Sequence, residues 1–418
     1  MGTKSTKLYY GYRVVFCAFL CLFFGQILYT NSAGIYTKAI TEEFGFTRSA
    51  FTFYMTVSAT TMMLISPFMG KLLQSRHVKK VMVITQIIMA CSYIGFTFCT
   101  QLWQFYCLGV GLGIGFAAVI RLAPSVLVNF WFGPKLKPRV MTVVTMGSAI
   151  GAVAIVPLIA KIVSNYGWRY GYYTAAAILL LFVTPCFFFI VSTPELKGLK
   201  RAGDLEPGEL QTKNAEPEGY MLQQVLRRPA FALMAIAMIF LAVSATGLLT
   251  NVQIFFTDIG FDPVKAAWIA STASGLQLFG KLADGYVIDK FGIKQATVFC
   301  IATYIGSMLC LCATTSSNSV IYYGFIVLFA LGASIPTLLG PLITSYLWGT
   351  KDYGANYGAV NLASSVGTAI GPTVTALMYD ISGTYRYAWL MVACALGIAG
   401  ICFFSAMILE EKKRTVSK

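Results

Sequence analysis

The sequence predicts an all-α integral membrane protein whose twelve transmembrane helices form two pseudo-symmetric six-helix bundles. Three observations carry this. First, 57% of the 418 residues are hydrophobic and only 11% are charged, against about 25% charged in ordinary soluble domains. Second, apolar runs long enough to span a bilayer recur along the whole chain, near 13–36, 49–72, 81–100, 104–131, 139–163, 170–192, 229–256, 264–288, 295–314, 319–347, 354–378 and 386–409. Third, the two sets of six echo each other, as a duplicated chain does. Gly70 to Lys79 after the second span aligns with Gly285 to Lys294 after the eighth, and Trp168-Arg169-Tyr170 with Tyr385-Arg386-Tyr387, each opening the last span of its set. The divisions are 1–192, 193–228 and 229–418: bundle, linker, bundle.

Taken in order, the first run belongs to a series and so reads as a span, not as a cleaved signal peptide. The fourth span contains Gly111-Leu-Gly-Ile-Gly115, which precedes no strand and so reads as helix packing, not as a nucleotide loop. The fifth and eleventh carry small-residue repeats, Gly147 to Gly151 and Gly367 to Gly371, that let helices approach closely. The linker, with LKGLKRAGDLEPGELQTKNAEPEG, is too charged and too rich in Pro and Gly to span and predicts a mobile or partly helical connection.

The net charge of +15 raises a nucleic-acid reading, but the basic residues sit in short segments between spans and form no basic face. Their distribution sets topology instead. Of 31 lysines and arginines, 23 fall on the side of the termini, six on the other side (Lys38, Arg48, Lys161, Arg169, Lys265, Arg386), and two inside spans. Positive-inside sorting therefore predicts a cell-membrane protein with both termini and the linker cytoplasmic. The eleven cysteines read as small packing residues, with no metal-type cluster. One histidine, no Walker motif and no nucleophile–base constellation predict no enzyme, no cofactor and no metal.

The two charges inside spans, Arg121 and Lys281, are the candidate functional groups, because a charge at that depth is costly. Lys281 lies eight residues before Asp289, roughly 12 Å inside a core of about 30 Å. Arg121 lies ten residues before Trp131, roughly 15 Å from the same end. One cation from each half is what an anion site between the halves requires; the guanidinium fork suits a carboxylate and the ammonium is a point charge. Asp284, three residues beyond Lys281, can pair with it and is the candidate proton-coupling group. Each has a plainer reading: Lys281 with Asp284 as a self-neutralising structural pair, and Arg121 as an arginine binding carbonyls freed by Pro124 or reaching the inner surface. Gln26, Tyr29, Asn251, Gln253, Asn361, Ser364 and Ser365 either line the path or bond between helices.

Gly285-x-x-x-Asp289-Lys290-x-Gly292 matches the loop signature of the major facilitator superfamily, and the chain resembles that superfamily over essentially its whole length. The resemblance implies the major facilitator fold and gives these four residues the role of a cytoplasmic latch. The first-half copy departs from it, with Gln74 for the acid and His77 for the glycine. Tyr9-Tyr-Gly-Tyr-Arg13, Glu43-Phe-Gly-Phe-Thr-Arg48-Ser49, Trp131-Phe132 and Asn356-Tyr-Gly358 resemble the monocarboxylate and oxalate–formate antiporter-like group. In that group an arginine implicated in carboxylate binding stands where Lys281 is, and Gln277 matches a polar or acidic position that works with it. Asn31 aligns with a first-span lysine that contacts substrate, and Ser364 with an eleventh-span lysine, so those two charges are lost here. The resulting expectation is a secondary transporter of organic monoanions, most of all a monocarboxylate, working as a monomer by alternating access with proton symport or exchange for a counter-anion. Two alternatives stand beside it: efflux of amphiphilic or aromatic compounds, and a membrane sensor on a transporter fold.

Overall fold

The computed structural model describes residues 9–74, 78–133, 136–184, 187–191, 193–203, 219–315, 318, 320–333, 339–349 and 351–416. Among the described residues the long helices are grouped into twelve segments, labelled here in chain order. They are α1 (Gly11–Phe44), α2 (Arg48–Gln74), α3 (Val78–Phe96), α4 (Leu102–Trp131), α5 (Lys137–Tyr166) and α6 (Trp168–Ile178, continued by Leu179–Val183). Then come α7 (Pro229–Asp258), α8 (Pro263–Phe291), α9 (Ile293–Ala313), α10 (Ile321–Gly332 and Leu339–Trp348), α11 (Tyr353–Ser382) and α12 (Tyr385–Val416). Seven helical stretches among the described residues are long and apolar enough to cross a membrane by length and composition.

Burial divides the rods into two hydrophobic cores. One runs from Val14 to Ile190 and takes in Ala267 of α8; the other runs from Val225 to Met407. Across the junction α2 lies on α11, α5 on α8 and α1 on α7. Because span two corresponds to span eight and span five to span eleven, these pairings are what an internal two-fold produces. The small-residue repeats obey the same symmetry. A Cβ at Gly147 or Gly151 of α5 would collide with the carbonyls of Phe19 and Phe23 on α1, and one at Gly367 or Gly371 of α11 with those of Ile239 and Val243 on α7.

Three rods contain a π-helical stretch: Cys21–Asn31 in α1, Phe116–Leu122 in α4 and Leu179–Val183 in α6. At their ends the amides of Ser32, Ala123 and Thr184 reach back five residues to Ile27, Ala118 and Leu179. In α4 the wide turns end just before Pro124, whose ring nitrogen has no proton to donate. The stretches in α1 and α4 meet: Tyr29 packs on Phe116 at 4.2 Å, and Gly25 faces Ile120.

The linker's two ends are partly helical and attached to the bundles, while 204–218 lie outside the described residues. Its first part pairs with the end of α4, where Gly133 donates to Ala202 O (2.8 Å) and Ala202 to Trp131 O (3.1 Å), with Tyr9 Oη donating to Lys200 O (2.9 Å). Its last part pairs with the end of α10, where Tyr220 donates to Trp348 O (3.0 Å), before a one-turn helix, Leu222–Leu226. Buried Trp131 and Trp348 thus hold equivalent places in the two halves.

Candidate functional site

Between the halves lies a cavity of about 460 Å³. α2 lines it with Met62, Met63 and Ser66, α4 with Arg121 and Leu122, and α11 with Tyr357, Gly358, Asn361, Leu362 and Ser365. Arg121 emerges from the wide-turn stretch of α4 and exposes its side chain to this space. Among the described residues it makes no ion pair or hydrogen bond. The carbonyls near Pro124 therefore do not hold it, which removes the first of its two structural readings. A guanidinium presents five donors, and without partners these remain for an occupant of the cavity.

Lys281 is placed differently. It is half-buried on α8, is not among the lining residues of that cavity, and forms no ion pair or hydrogen bond among the described residues. Asp284 does not pair with it. That carboxylate is fully buried against α9 and accepts from the Cys300 thiol at 3.1 Å. A separation of three residues turns the helix by about 300°, which is enough to point one group at α9 and leave the other off that contact. Two turns before Lys281, on its own face, Ser274 receives a hydrogen bond from Asn31 Nδ2 of α1 at 3.4 Å, so this face of α8 looks across the junction. Gln277 is half-buried between them. The Asn31 carbonyl in turn accepts from Gln253 Nε2 of α7 (2.9 Å), which makes Asn31 part of the seam.

Of the latch residues, Lys290 bonds within its own half. Lys290 Nζ contacts Tyr286 Oη (3.3 Å) one turn back, Gly292 ends α8 with φ +85°, and Gly285 faces open space. The Asp289 side chain and His77 lie outside the described residues, and the Gln74 side chain with them.

At the opposite end of the rods, away from the termini, the halves are joined by groups that sequence reading had only counted. Arg48 at the start of α2 forks onto Asp258 at the end of α7, Nη1 to Oδ2 at 2.5 Å and Nη2 to Oδ1 at 3.2 Å. Lys38 of α1 reaches the same carboxylate at 3.0 Å. The Arg48 guanidinium lies 3.9 Å over the Tyr379 ring. The Asp380 carboxylate of α11 accepts from the first amides of α2, Arg48 N (3.2 Å) and Ser49 N (2.8 Å). Two turns further along α2, Thr56 Oγ1 bonds to Ala369 O (2.7 Å) and Thr373 Oγ1 (2.9 Å). These bonds between α2 and its partners α7 and α11 lie on the side of the cavity away from the termini. Arg48 stood in the Glu43 to Ser49 motif, but Asp258 and Asp380 offered no signal beyond charge at the ends of spans, which any surface loop shares.

Comparison with known proteins places this geometry. The model of the Major Facilitator Superfamily matches residues 15–347 and 242–418. Monocarboxylate transporter 4 of Rattus norvegicus is 22% identical over 398 residues, covering 93% of this chain and 81% of that protein. Monocarboxylate transporter 12 of Rattus norvegicus is 21% identical over 345 residues, covering 76% and 69%. Among solved structures, a bacterial homologue of the human lysosomal transporter Spinster, inward-facing and unoccupied, superposes with a TM-score of 0.71 at 15% identity, over 98% of this chain and 99% of that one. The nucleoside transporter NupG does so with a TM-score of 0.75 at 12% identity, over 95% and 99%. At such identities the structural likeness concerns the fold alone.

Proposed function

The chain belongs to the Major Facilitator Superfamily, and from that premise we propose that it is a secondary active transporter of organic monoanions, with a monocarboxylate as the leading cargo. One observation carries the reading: Arg121, a cation midway along α4 without ion pair or hydrogen bond among the described residues, faces a cavity lined by both halves. A cation held at that depth needs an anion in the working cycle, and the fork selects a planar carboxylate. Tyr357, Asn361 and Ser365 offer neutral hydrogen-bonding groups opposite it, and Met62, Met63, Leu122 and Leu362 an apolar wall for the rest of the cargo. Lys281 and Gln277, on the face of α8 that looks across the junction, act as a second polar group along the path. The relatives named as monocarboxylate transporters point the same way.

In this reading both termini are cytoplasmic, by the bias of basic residues. The joined end is then the outer gate, and the cavity is open to the cytoplasm. Access alternates as one half rocks on the other. Transport runs by proton symport or by exchange, in a monomer in the cell membrane.

The test is uptake of radiolabelled monocarboxylates into proteoliposomes, with and without an inward proton gradient. Arg121→Gln is expected to cut uptake about 100-fold, and Arg121→Lys to retain part of it because charge survives without the fork. Undiminished uptake by Arg121→Gln would move the cargo to uncharged amphiphiles and end the anion reading.

A further inference from the structure

The two carboxylates that close the outer gate come from the second half, and everything that receives them belongs to the first. Asp258 lies in the fork of Arg48 with Lys38 on its Oδ1, and Asp380 lies on the amides that begin α2. Those amides are the unpaired donors of a 27-residue helix, at the positive end of its dipole. The first half therefore carries a preformed carboxylate site, seen here holding carboxylates of its own chain. Arg48 is almost fully buried while it does so. When the halves part at this end, Asp258 and Asp380 leave with α7 and α11. Arg48 then faces the mouth of the outward-open cavity; Lys38 keeps Glu42, at 4.0 Å on its own helix, as a partner.

We infer that Arg48, with Lys38 and the first amides of α2, forms a second, outer carboxylate-binding site that captures cargo from outside in competition with Asp258 and Asp380. The chemistry of the ligand follows from the occupant: a carboxylate in bidentate contact with a guanidinium. Its purpose rests on the proposed anion cargo. An external carboxylate binds only the conformer from which Asp258 has withdrawn, so it shifts the population toward the outward-open state by its differential affinity. At the mouth the same charges concentrate anions from solution. Asp258 and Asp380 then act as built-in competitors that displace the cargo as the gate shuts.

A gate that is only an ion pair makes a different prediction, and this separates the two. For a plain latch, Arg48→Gln and Asp258→Asn remove the same bond and shift transport alike. For a carboxylate site they act oppositely. Asp258→Asn removes the competitor and is expected to lower the external KM for acetate about threefold, whereas Arg48→Gln removes the receptor and is expected to raise it about fivefold or more, with KM from the inner side unchanged in both. The measurement is radiolabelled acetate influx and efflux in proteoliposomes of known orientation, using the full chain. Arg48→Lys, which keeps the charge, is expected to fall between and serves if Arg48→Gln does not fold. Shifts in the same direction, or none, overturn the proposal.

A second arm needs no transport. Thr373→Cys, half-buried and facing Thr56 in the closed gate, is labelled from outside with an impermeant maleimide, with the parent's own thiols as background. Acetate, compared with chloride, is expected to raise labelling about threefold, and to lose this effect in Arg48→Gln. If the parent carries no carboxylate the cargo reading fails, and this arm then decides the outer site alone: acetate-dependent, Arg48-dependent labelling sustains it, and labelling indifferent to acetate overturns it.

Discussion

Glu43 and Asp258 occupy matching places in the duplicated fold, at the ends of α1 and α7, and they are put to opposite uses. Glu43 is held inside its own half: Trp168 Nε1 donates to it at 2.5 Å and Arg169 at 2.8 Å, both from the first turn of α6. In the second half the equivalent turn of α12 carries Tyr385 and Arg386. Tyr385 Oη donates to Asn251 of α7 (3.0 Å), and Asp258 is left for Arg48 and Lys38 of the other half. An acid at one address thus braces a corner, while its duplicate bridges a gate. Duplication has kept the scaffold, in the glycine pairs and in Trp131 and Trp348, and has let the chemistry at the ends diverge.

This contrast can be broken from both sides. The largest effect is expected where the halves are still alike: Gly151→Val and Gly367→Val each force a branched side chain into a neighbouring backbone, at about 3 kcal/mol or more. Thermal unfolding of the purified protein should show losses of similar size; a large difference between them would mean that the two seams are not equivalent. Next comes the brace. Glu43→Gln is expected to cost about 1–2 kcal/mol of stability, because a charge-assisted bond to a half-exposed arginine and one to an indole are weakened. The external KM should stay where it is. A KM shift as large as that of Asp258→Asn would show that both corners belong to the gate. The smallest effect is expected at Asp284. Its asparagine keeps an acceptor for Cys300, so Asp284→Asn should change stability by under about 1 kcal/mol and leave the response to a proton gradient intact. Loss of gradient-driven uptake with folding preserved would instead make Asp284 the proton carrier, acting through the α8–α9 contact.

The fold was legible because a bilayer leaves few options: apolar runs of spanning length, separated by basic segments, and two echoed motifs are enough to count rods and halves. Arg121 was legible for the same reason, as a charge where charge is costly. What stayed hidden depends on contacts between distant segments. Spacing alone placed Lys281 and Asp284 within reach of each other, yet a thiol on α9 draws the carboxylate away. Arg48 and Asp258 are 210 residues apart, and each by itself is an ordinary charge at the end of a span. The π-helical stretches were invisible too, since a few widened turns scarcely disturb an apolar run that is buried or lipid-facing on every side.

The position of Thr56 along α2 turns the seam into a lever. On the α2–α11 seam its bonds to Ala369 and Thr373 lie between the ion-paired end and the cavity. From Thr56 to Arg48 is eight residues, an arm of about 12 Å, and from Thr56 to Gln74 is eighteen, an arm of about 27 Å. A rotation of about 10° about that point displaces the gate end by about 2 Å, enough to part hydrogen bonds, and the far end by about 5 Å, close to the width of a small acid. The mechanical advantage is thus roughly twofold. In the proposed transport cycle, a gate working through two carboxylates on the short arm would command a passage for cargo on the long one.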